Sequence, residues 1–505
     1  MLMKKNIFLI SFIFLLSFLI YYRATNAYFV ADDFFYIQNR NNIHYLSPLT
    51  PYFYQPITFL VFYLNFFWAG ISYYKYHLFS IILNAFNNIL LFYFLSLLIK
   101  NKLYSFLITI IAVVYYFSAD NIIWINCTNN LICALFYFLT LIFSVKFNLS
   151  NNKFHLFLTS FFMLLTLLSR EMGVSIFILI LCIDFLFFKK NFKNYISTKY
   201  PFLFLIFAFY IFIMMLGPSL RYKTLSFNRG NYELEFSLKS IIININWFFF
   251  RTFIPCSFGS HFKLPLIIKI TLFIRFNYLS IIFVLIMALI VRNKFYYFGV
   301  MWIIITASPY LLLNIYYVFN GDRYFYLPHI GLGLILLGFW EHFKKYFLNK
   351  KIFSFIKFFV FLFLFLYSAL SIYAINQRIS WWIKAGETSK KFITTFQKKI
   401  KDIPENSIFF IKDIPRWAEN APNKLIALIN GSEFALRLFY NKKDILVIPY
   451  WEDFGEKNFE RFSNIKKDYK HIFFFEYTKN DLIQWQPSKD YLERYQTYLK
   501  EVLKR

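Results

Sequence analysis

Two adjacent carboxylates, Asp32 and Asp33, stand just beyond the first long apolar run of this 505-residue chain. Like charges in tandem repel unless a cation, an acceptor or a shared proton relieves them. The pair suits proton abstraction from a hydroxyl, or coordination of a divalent cation such as Mg or Mn through oxygen, and the residue types leave both open. Two arginines lie at the ends of other apolar runs beside an acid: Glu171 follows Arg170, and Asp322 precedes Arg323. A guanidinium fork matches a lipid phosphate in bidentate geometry, whereas snorkelling at an interface is the blander role for the same side chain. His77 opens a further apolar run, where a histidine is more often an interfacial aromatic than a ligand.

These groups are informative because acids are scarce around them. Met1 to Gln377 holds 30 Lys+Arg against 9 Asp+Glu, namely Asp32, Asp33, Asp120, Glu171, Asp184, Glu233, Glu235, Asp322 and Glu341. An ionised carboxylate in hydrocarbon costs several kcal/mol, so each needs water, a partner or a task. For Asp120, Glu233 and Glu235 a solvated outer loop explains the charge as well as a task does.

The elements that carry these residues are membrane elements. The chain is 59% apolar, 24% aromatic and only 16% charged, with mean hydropathy +0.51, where a soluble domain sits near about a quarter charged. Its length alone would suggest about three soluble domains, but the 73 Phe and 39 Tyr are spread through most of it. The pattern predicts an all-α polytopic membrane domain over 1–377 and a small soluble α/β domain over 378–505, where 24 Lys+Arg face 17 Asp+Glu.

Runs long enough to cross begin with Ile7–Tyr21, read as an uncleaved span. Others centre on Tyr76–Leu98, Leu103–Phe117, Asn130–Val145, His155–Leu168, Gly173–Phe188, Pro201–Leu216, Leu272–Val291, Phe295–Leu313, Tyr324–Trp340 and Ile352–Tyr373. That makes about eleven spans. Alternate loops carry the lysines and arginines, from Lys100 and Lys102 to Lys350 and Lys351, on the side of Lys4 and Lys5. By the positive-inside rule this side is cytoplasmic, so the first loop and the C-terminal domain are extracytoplasmic. Pro51–Gly70 and Ile241–Cys256 would invert the loops that follow them if counted as spans, and read as interfacial or re-entrant helices on the outside.

The charge of +28 sits largely in these short loops, which excludes nucleic acid as the partner. Cys127, Cys133, Cys182 and Cys256 show no CxxC pair, so neither a disulfide framework nor a zinc site is indicated. Within 378–505, Trp381–Ile400 and Lys489–Leu503 read as amphipathic helices, and Ser407–Ile411, Ile445–Pro449, His471–Tyr477 and Leu482–Trp485 as strands.

In series, Ala31-Asp32-Asp33 with Asn39, Tyr54-Gln55-Pro56-Ile57, Tyr76-His77 with Asn84, Ser169-Arg170-Glu171 and Asp322-Arg323-Tyr324-Phe325-Tyr326-Leu327-Pro328 resemble a known membrane region. It is that of the tetratricopeptide-containing transmembrane O-mannosyltransferases and their bacterial relatives, of the GT-C class of polyprenyl-phosphate-sugar-dependent glycosyltransferases. The resemblance runs from about Phe29 to Gly338 in the same order. It implies a GT-C-like fold with Asp32 or Asp33 as catalytic base or acceptor-orienting residue. It also implies Arg323 at the carrier phosphate, with Arg170, Glu171, Tyr324, Tyr326 and His77 around the substrate. Gln55 and Arg170 stand where the family often has Arg and Lys. No tetratricopeptide array follows, so the acceptor class does not carry over.

The expectation is an integral membrane glycosyltransferase working on the outer face, with a lipid-linked sugar donor and surrounding membrane lipid as its partners and an unknown acceptor. Heavy use of Phe, Ile, Asn and Lys fits an AT-rich bacterial genome, hence a cytoplasmic membrane and undecaprenyl phosphate as carrier. A transporter or lipid-linked sugar flippase is the rival, and would need charges near mid-membrane and broken helices in two matching halves. The topology is testable directly: alkaline phosphatase fused after Arg505 should be active in a bacterial host, and activity of a cytoplasmic reporter there instead would overturn it.

Overall fold

The computed structural model describes residues 2–39, 55–189, 192–216, 237–254, 278–312, 321–346, 350–415, 417–418, 427–428, 431–450, 471–478 and 481–485. Glu233, Glu235, Cys256, the start of the Leu272–Val291 run and the Lys489–Leu503 stretch lie outside them. In chain order the helices are α1 (Leu2–Tyr21), α2 (Asp33–Gln38), α3 (Pro56–Ala69), α4 (Tyr73–Ile99), α5 (Lys102–Val113), α6 (Asp120–Ile123), α7 (Thr128–Ser150), α8 (Lys153–Ser169) and α9 (Ile176–Phe187). They continue with α10 (Phe192–Thr198), α11 (Tyr200–Leu216), α12 (Leu238–Phe253), α13 (Leu279–Ile290), α14 (Lys294–Ala307), α15 (Ile330–Tyr346), α16 (Lys350–Lys399) and α17 (Ser432–Tyr440). Four strands, β1 (Ser407–Lys412), β2 (Ile445–Tyr450), β3 (His471–Tyr477) and β4 (Leu482–Gln484), complete the set.

The starts of several helices follow from asparagine caps in the basic loops. The side chains of Asn101, Asn152 and Asn293 accept from the first free amides of α5, α8 and α14, at Leu103 and Tyr104, at Phe154, and at Phe295. An Asn in this place satisfies donors that the helix itself leaves open. α7 ends on Asn151 in the left-handed region, which asparagine tolerates better than most residues.

Among the described residues, four helical stretches are long and apolar enough to cross a membrane: Ile7–Asn26, Tyr73–Ile99, Ile125–Ser150 and part of α16, Lys357–Lys399. A fifth arises if α5 and Tyr116–Ile123, bent by 61°, form one span. The other runs also hold helices, but shorter ones, such as the 17 residues of α8 and the 12 of α13. Short 3-10 turns interrupt them, at Glu171–Ser175 before α9 and Ser308–Tyr310 after α14. An apolar run therefore does not fix the length of its helix: α4 and α8 extend beyond theirs, whereas α9 lies within its own. Phe355, Phe358, Phe361 and Phe365 on α16 stay exposed, as an apolar surface facing lipid does.

The chain separates into two compact units. The first comprises Met1–Thr25, Asn42–Leu64 and Lys75–Ile379. α14 and α15 approach closely there because Gly299 and Gly331 face each other, and a Cβ on either would meet the other's backbone. Trp302 on α14 donates to the Leu327 carbonyl (2.9 Å), fixing the turn that leads from Arg323 into α15.

Among the described residues of this unit, buried ion pairs join separate parts of the chain. Arg378 donates to both oxygens of Asp120 at 2.8 and 2.6 Å, with both side chains buried. Asp120 is thus an internal anchor and not a solvated loop acid. Ile352–Tyr373 and Trp381–Ile400, expected as separate helices, are one helix of 50 residues, and no Pro or Gly interrupts Ala374 to Ser380 between them.

A second pair joins Lys199 to Asp184 at 2.7 Å, both fully buried. Lys199 also donates to Ser144 and Asn148, and Asp184 accepts from Asn148 and Tyr200.

The second unit comprises Asn26–Asn41, Asn65–Tyr74 and Ser380–Arg505. Its mixed sheet has the order β2-β1-β3-β4, with β1 parallel to β2 and β3, and β4 antiparallel to β3. Phe409 on Phe473 and Phe410 on Phe474 stack at 4.9 Å across the β1–β3 register, one pair on each face. α17 is the crossover that a parallel β1–β2 pair requires.

Removing one member of a buried pair leaves the other charge unpaired, at about 3–5 kcal/mol. Asp184→Leu should therefore lower the apparent melting temperature of the detergent-solubilised protein well below that of the Asp184→Leu/Lys199→Met double variant, which removes both charges.

Candidate functional site

The basic residues gather in the first unit. α8 ends at Ser169, and Arg170 takes an extended conformation before the 3-10 turn that opens with Glu171. Thr58 donates to the Ser169 carbonyl at 2.8 Å, tying α3 to this corner. The Arg170 guanidinium, 7% exposed, holds Glu171 through Nε at 3.0 Å and Asn129 through Nη1. Gln55 donates to the second oxygen of Glu171 at 3.2 Å. Gln55 thus keeps a place in the cluster although it lacks the arginine's charge. Burial, the largest single influence, disfavours the charged form of Arg170, and Arg323 acts in the same direction, but Glu171 and then Tyr310 act against them, and the guanidinium holds its proton more tightly than usual.

Arg323, also 7% exposed, lies under two aromatic faces, 5.3 Å from the Trp124 ring and 5.0 Å from that of Tyr324. Its Nη2 donates to the Tyr324 hydroxyl at 3.0 Å, and Asn130 donates to its carbonyl. Arg170, Glu171 and Arg323 together carry a formal +1. Two buried guanidinium groups that feel each other's charge form a setting that favours an anion.

Asp322 turns away from the role that its position beside Arg323 suggests. It pairs with Arg251 of α12 at 3.5 Å, and that guanidinium lies on Phe117 and Trp247 at 4.4 and 4.3 Å. Tyr326 is engaged within the helices, donating to Asn84 at 2.9 Å and accepting from Asn87 at 3.3 Å. It borders a small polar cavity with Asn84, Asn88, Ser118 and His329, too small for a sugar. His77, expected at an interface, is buried on α4.

The acidic residues belong to the second unit. Ala31 adopts a left-handed φ of 43°, and the chain then enters α2 at Asp33. Asp33 is 1% exposed and closes the turn on itself: its Oδ2 accepts from Val30 N, and its own N donates to Val30 O, both at 3.0 Å. Asp32, one residue earlier, is half-buried. α2 packs against α17, with Phe35 edge-on to Phe434 at 5.0 Å. The two carboxylates are therefore unequal, one built into the backbone turn and the other reachable from solvent.

Among the described residues no three His, Cys, Asp or Glu side chains converge where they could hold a metal ion. A cation at Asp32 and Asp33 would need oxygens of other kinds. Cys127 and Cys133 are buried free thiols.

Asn129, Trp124, Arg251 and Arg378 escape sequence reasoning, because each acquires its meaning from a partner far along the chain. Only the Thr128-Asn129-Asn130 polar run opening an apolar helix hints at one of them. Comparison with models of known protein families gives no match, and no curated protein matches the chain.

The inequality of the carboxylates has a measurable consequence. Asn can still accept the Val30 amide, whereas an apolar side chain strands it, at about 1–3 kcal/mol. Asp33→Leu should lower the apparent melting temperature, Asp33→Asn should lower it less, and Asp32→Asn should leave it near that of the unaltered protein.

Proposed function

We propose that this protein is an integral membrane glycosyltransferase that moves a sugar from a polyprenyl-phosphate carrier to an acceptor hydroxyl on the outer face of a bacterial cytoplasmic membrane. The reading includes about eleven spans, the shorter helices crossing with the help of their neighbours and of tilt. The observation that carries it is the pair of buried guanidinium groups, Arg170 and Arg323, within electrostatic reach of each other in an apolar, membrane-competent chain. Guanidinium groups so placed offer the paired planar donors that a lipid phosphate accepts. The ordered motif series from Ala31 to Pro328 supports the same reading.

In this mechanism Arg323 and Arg170 hold the carrier phosphate. The acceptor oxygen attacks the anomeric carbon, the bond from that carbon to the phosphate oxygen breaks, and its electron pair leaves on the phosphate. The hydroxyl proton passes to Asp32, the half-buried carboxylate, and the single displacement inverts the anomeric configuration. Arginine acts most strongly as charge grows on the leaving phosphate, so it supports turnover as well as binding. Glu171 sets the fork of Arg170, and Tyr324 that of Arg323.

Lys supplies a point charge without the planar pair of donors. Arg323→Lys, in native membranes that supply the acceptor and at saturating labelled donor, should lose turnover substantially while expression and insertion stay normal; Arg323→Ala should lose more. Asp32→Asn should reduce transfer by about 100-fold to 10,000-fold, the usual weight of a general base. Unchanged turnover in Arg323→Lys would assign that residue to anchoring, and unchanged turnover in Asp32→Asn would remove the base.

A further inference from the structure

The acidic turn is held by residues from the far end of the chain. Ala31 N donates to the Ala427 carbonyl at 2.7 Å, and Ser389 of α16 donates to the same oxygen at 3.1 Å. Gly431, just before α17, lies so close that a Cβ there would run into the Ala31 carbonyl. Gly386 on α16 lies as close to the Tyr28 backbone, whose ring packs on Tyr73 and Phe439 at 5.2 and 6.5 Å. Residues 28–31 are thus clasped on two sides by positions where only glycine leaves room.

The clasped segment is strained. Ala31 is 1% exposed with φ at 43°, a region in which the Cβ of a non-glycine residue crowds the following carbonyl. Such strain persists only where the surroundings over-determine it. A glycine at this position would relieve it, yet the chain has alanine, which narrows the conformations of the turn. The result of the strained step is that Asp33 folds back onto Val30 N while Asp32 stays reachable.

We propose that the left-handed turn at Ala31, clasped by Gly386, Ala427 and Gly431, is a positioning device that presents Asp32 for proton transfer and commits Asp33 to the backbone. Gly386 and Gly431 are then positioning residues for the reaction. This rests on the glycosyltransferase reading for the role of Asp32, but the geometry can be tested without it.

Trypsin cleavage after Arg23 and Arg40 releases Ala24–Arg40, in which Asp32 and Asp33 are the only acids. Full-length protein in detergent is treated with a water-soluble carbodiimide and glycine ethyl ester, and the fragment is sequenced by mass spectrometry. In the unaltered protein the label should fall on Asp32 at least tenfold more than on Asp33. Gly431→Ala and Gly386→Ala should bring the two towards equal labelling. Ala31→Val, a β-branched residue in the left-handed region, should do the same without touching either glycine. Equal labelling in the unaltered protein overturns the proposal by itself, even if a variant fails to fold.

Turnover of polyprenyl phosphate carrying labelled glucose, mannose, galactose or arabinose, in native membranes, supplies the second readout. The glycine variants should lose tenfold or more in kcat counted per folded molecule, the folded fraction being measured by its melting transition, with the apparent KM for the donor unchanged; a loss that disappears on this normalisation is general destabilisation and overturns the positioning role. Unchanged labelling and turnover in Gly431→Ala and Ala31→Val would sink the positioning role while Asp32→Asn still judged the reaction. Normal turnover in Asp32→Asn with the labelling pattern as expected would sink the reaction and leave the geometry standing.

Discussion

A charge that folds into an apolar chain must bring its counter-charge with it, and much of this structure is arranged around that requirement. Arg378 and Asp120 are 258 positions apart, yet their two hydrogen bonds at 2.8 and 2.6 Å fix α16 to α6 in the first unit. Lys199 and Asp184 tie the start of α11 to α9, with Ser144, Asn148 and Tyr200 satisfying the remaining donors and acceptors. Full satisfaction is what makes a buried pair tolerable, since the attraction between the ions only offsets what water gave up. Arg251 with Asp322 repeats the theme using two aromatic faces in place of further hydrogen bonds.

Against that background the corner around Arg170 stands apart. The three other ion pairs described in this unit are each neutral. Arg170, Glu171 and Arg323 sum to a formal +1, and Arg323 opposes the charge on Arg170. Each added buried charge brings its own desolvation cost. The planar groups of Trp124 and Tyr324 beside Arg323 support the guanidinium without consuming its charge.

The sequence revealed types and local order better than partners. Alternation and β-rich composition located the strands to within a residue or two, as at His471–Tyr477, because a strand's pattern is local. The apolar runs located helices, but not their lengths: the 61° bend after α5 and the 3-10 turns beside α9 and α14 arise from packing that hydropathy does not encode. Asp32-Asp33, Arg170 and Arg323 were legible because charge is rare in such a chain. Their settings were not. Asp322 beside Arg323 in sequence chose Arg251 in space, and Asp120, which a solvated loop would have explained equally well, is closed into a buried pair. Nothing in the tandem acids themselves tells which is which, and a backbone conformation at Ala31 separates them.

That last difference carries a consequence for how the second unit forms. Residues 28–38 leave the ribosome long before Gly386, Ala427 and α17, and α2 is only six residues long. A helix of that length does not hold itself in water, so its stability comes from the surface that it packs against. The left-handed step at Ala31 is likewise unfavourable for the isolated segment and becomes affordable only once the Ala427 carbonyl and the two glycines surround it. The geometry of Asp32 is therefore a property of the finished chain. Contacts of such long sequence separation form late, because loop closure precedes any gain from them. The half-buried carboxylate of Asp32 is in this way withheld until the C-terminal part of its own unit has folded around it.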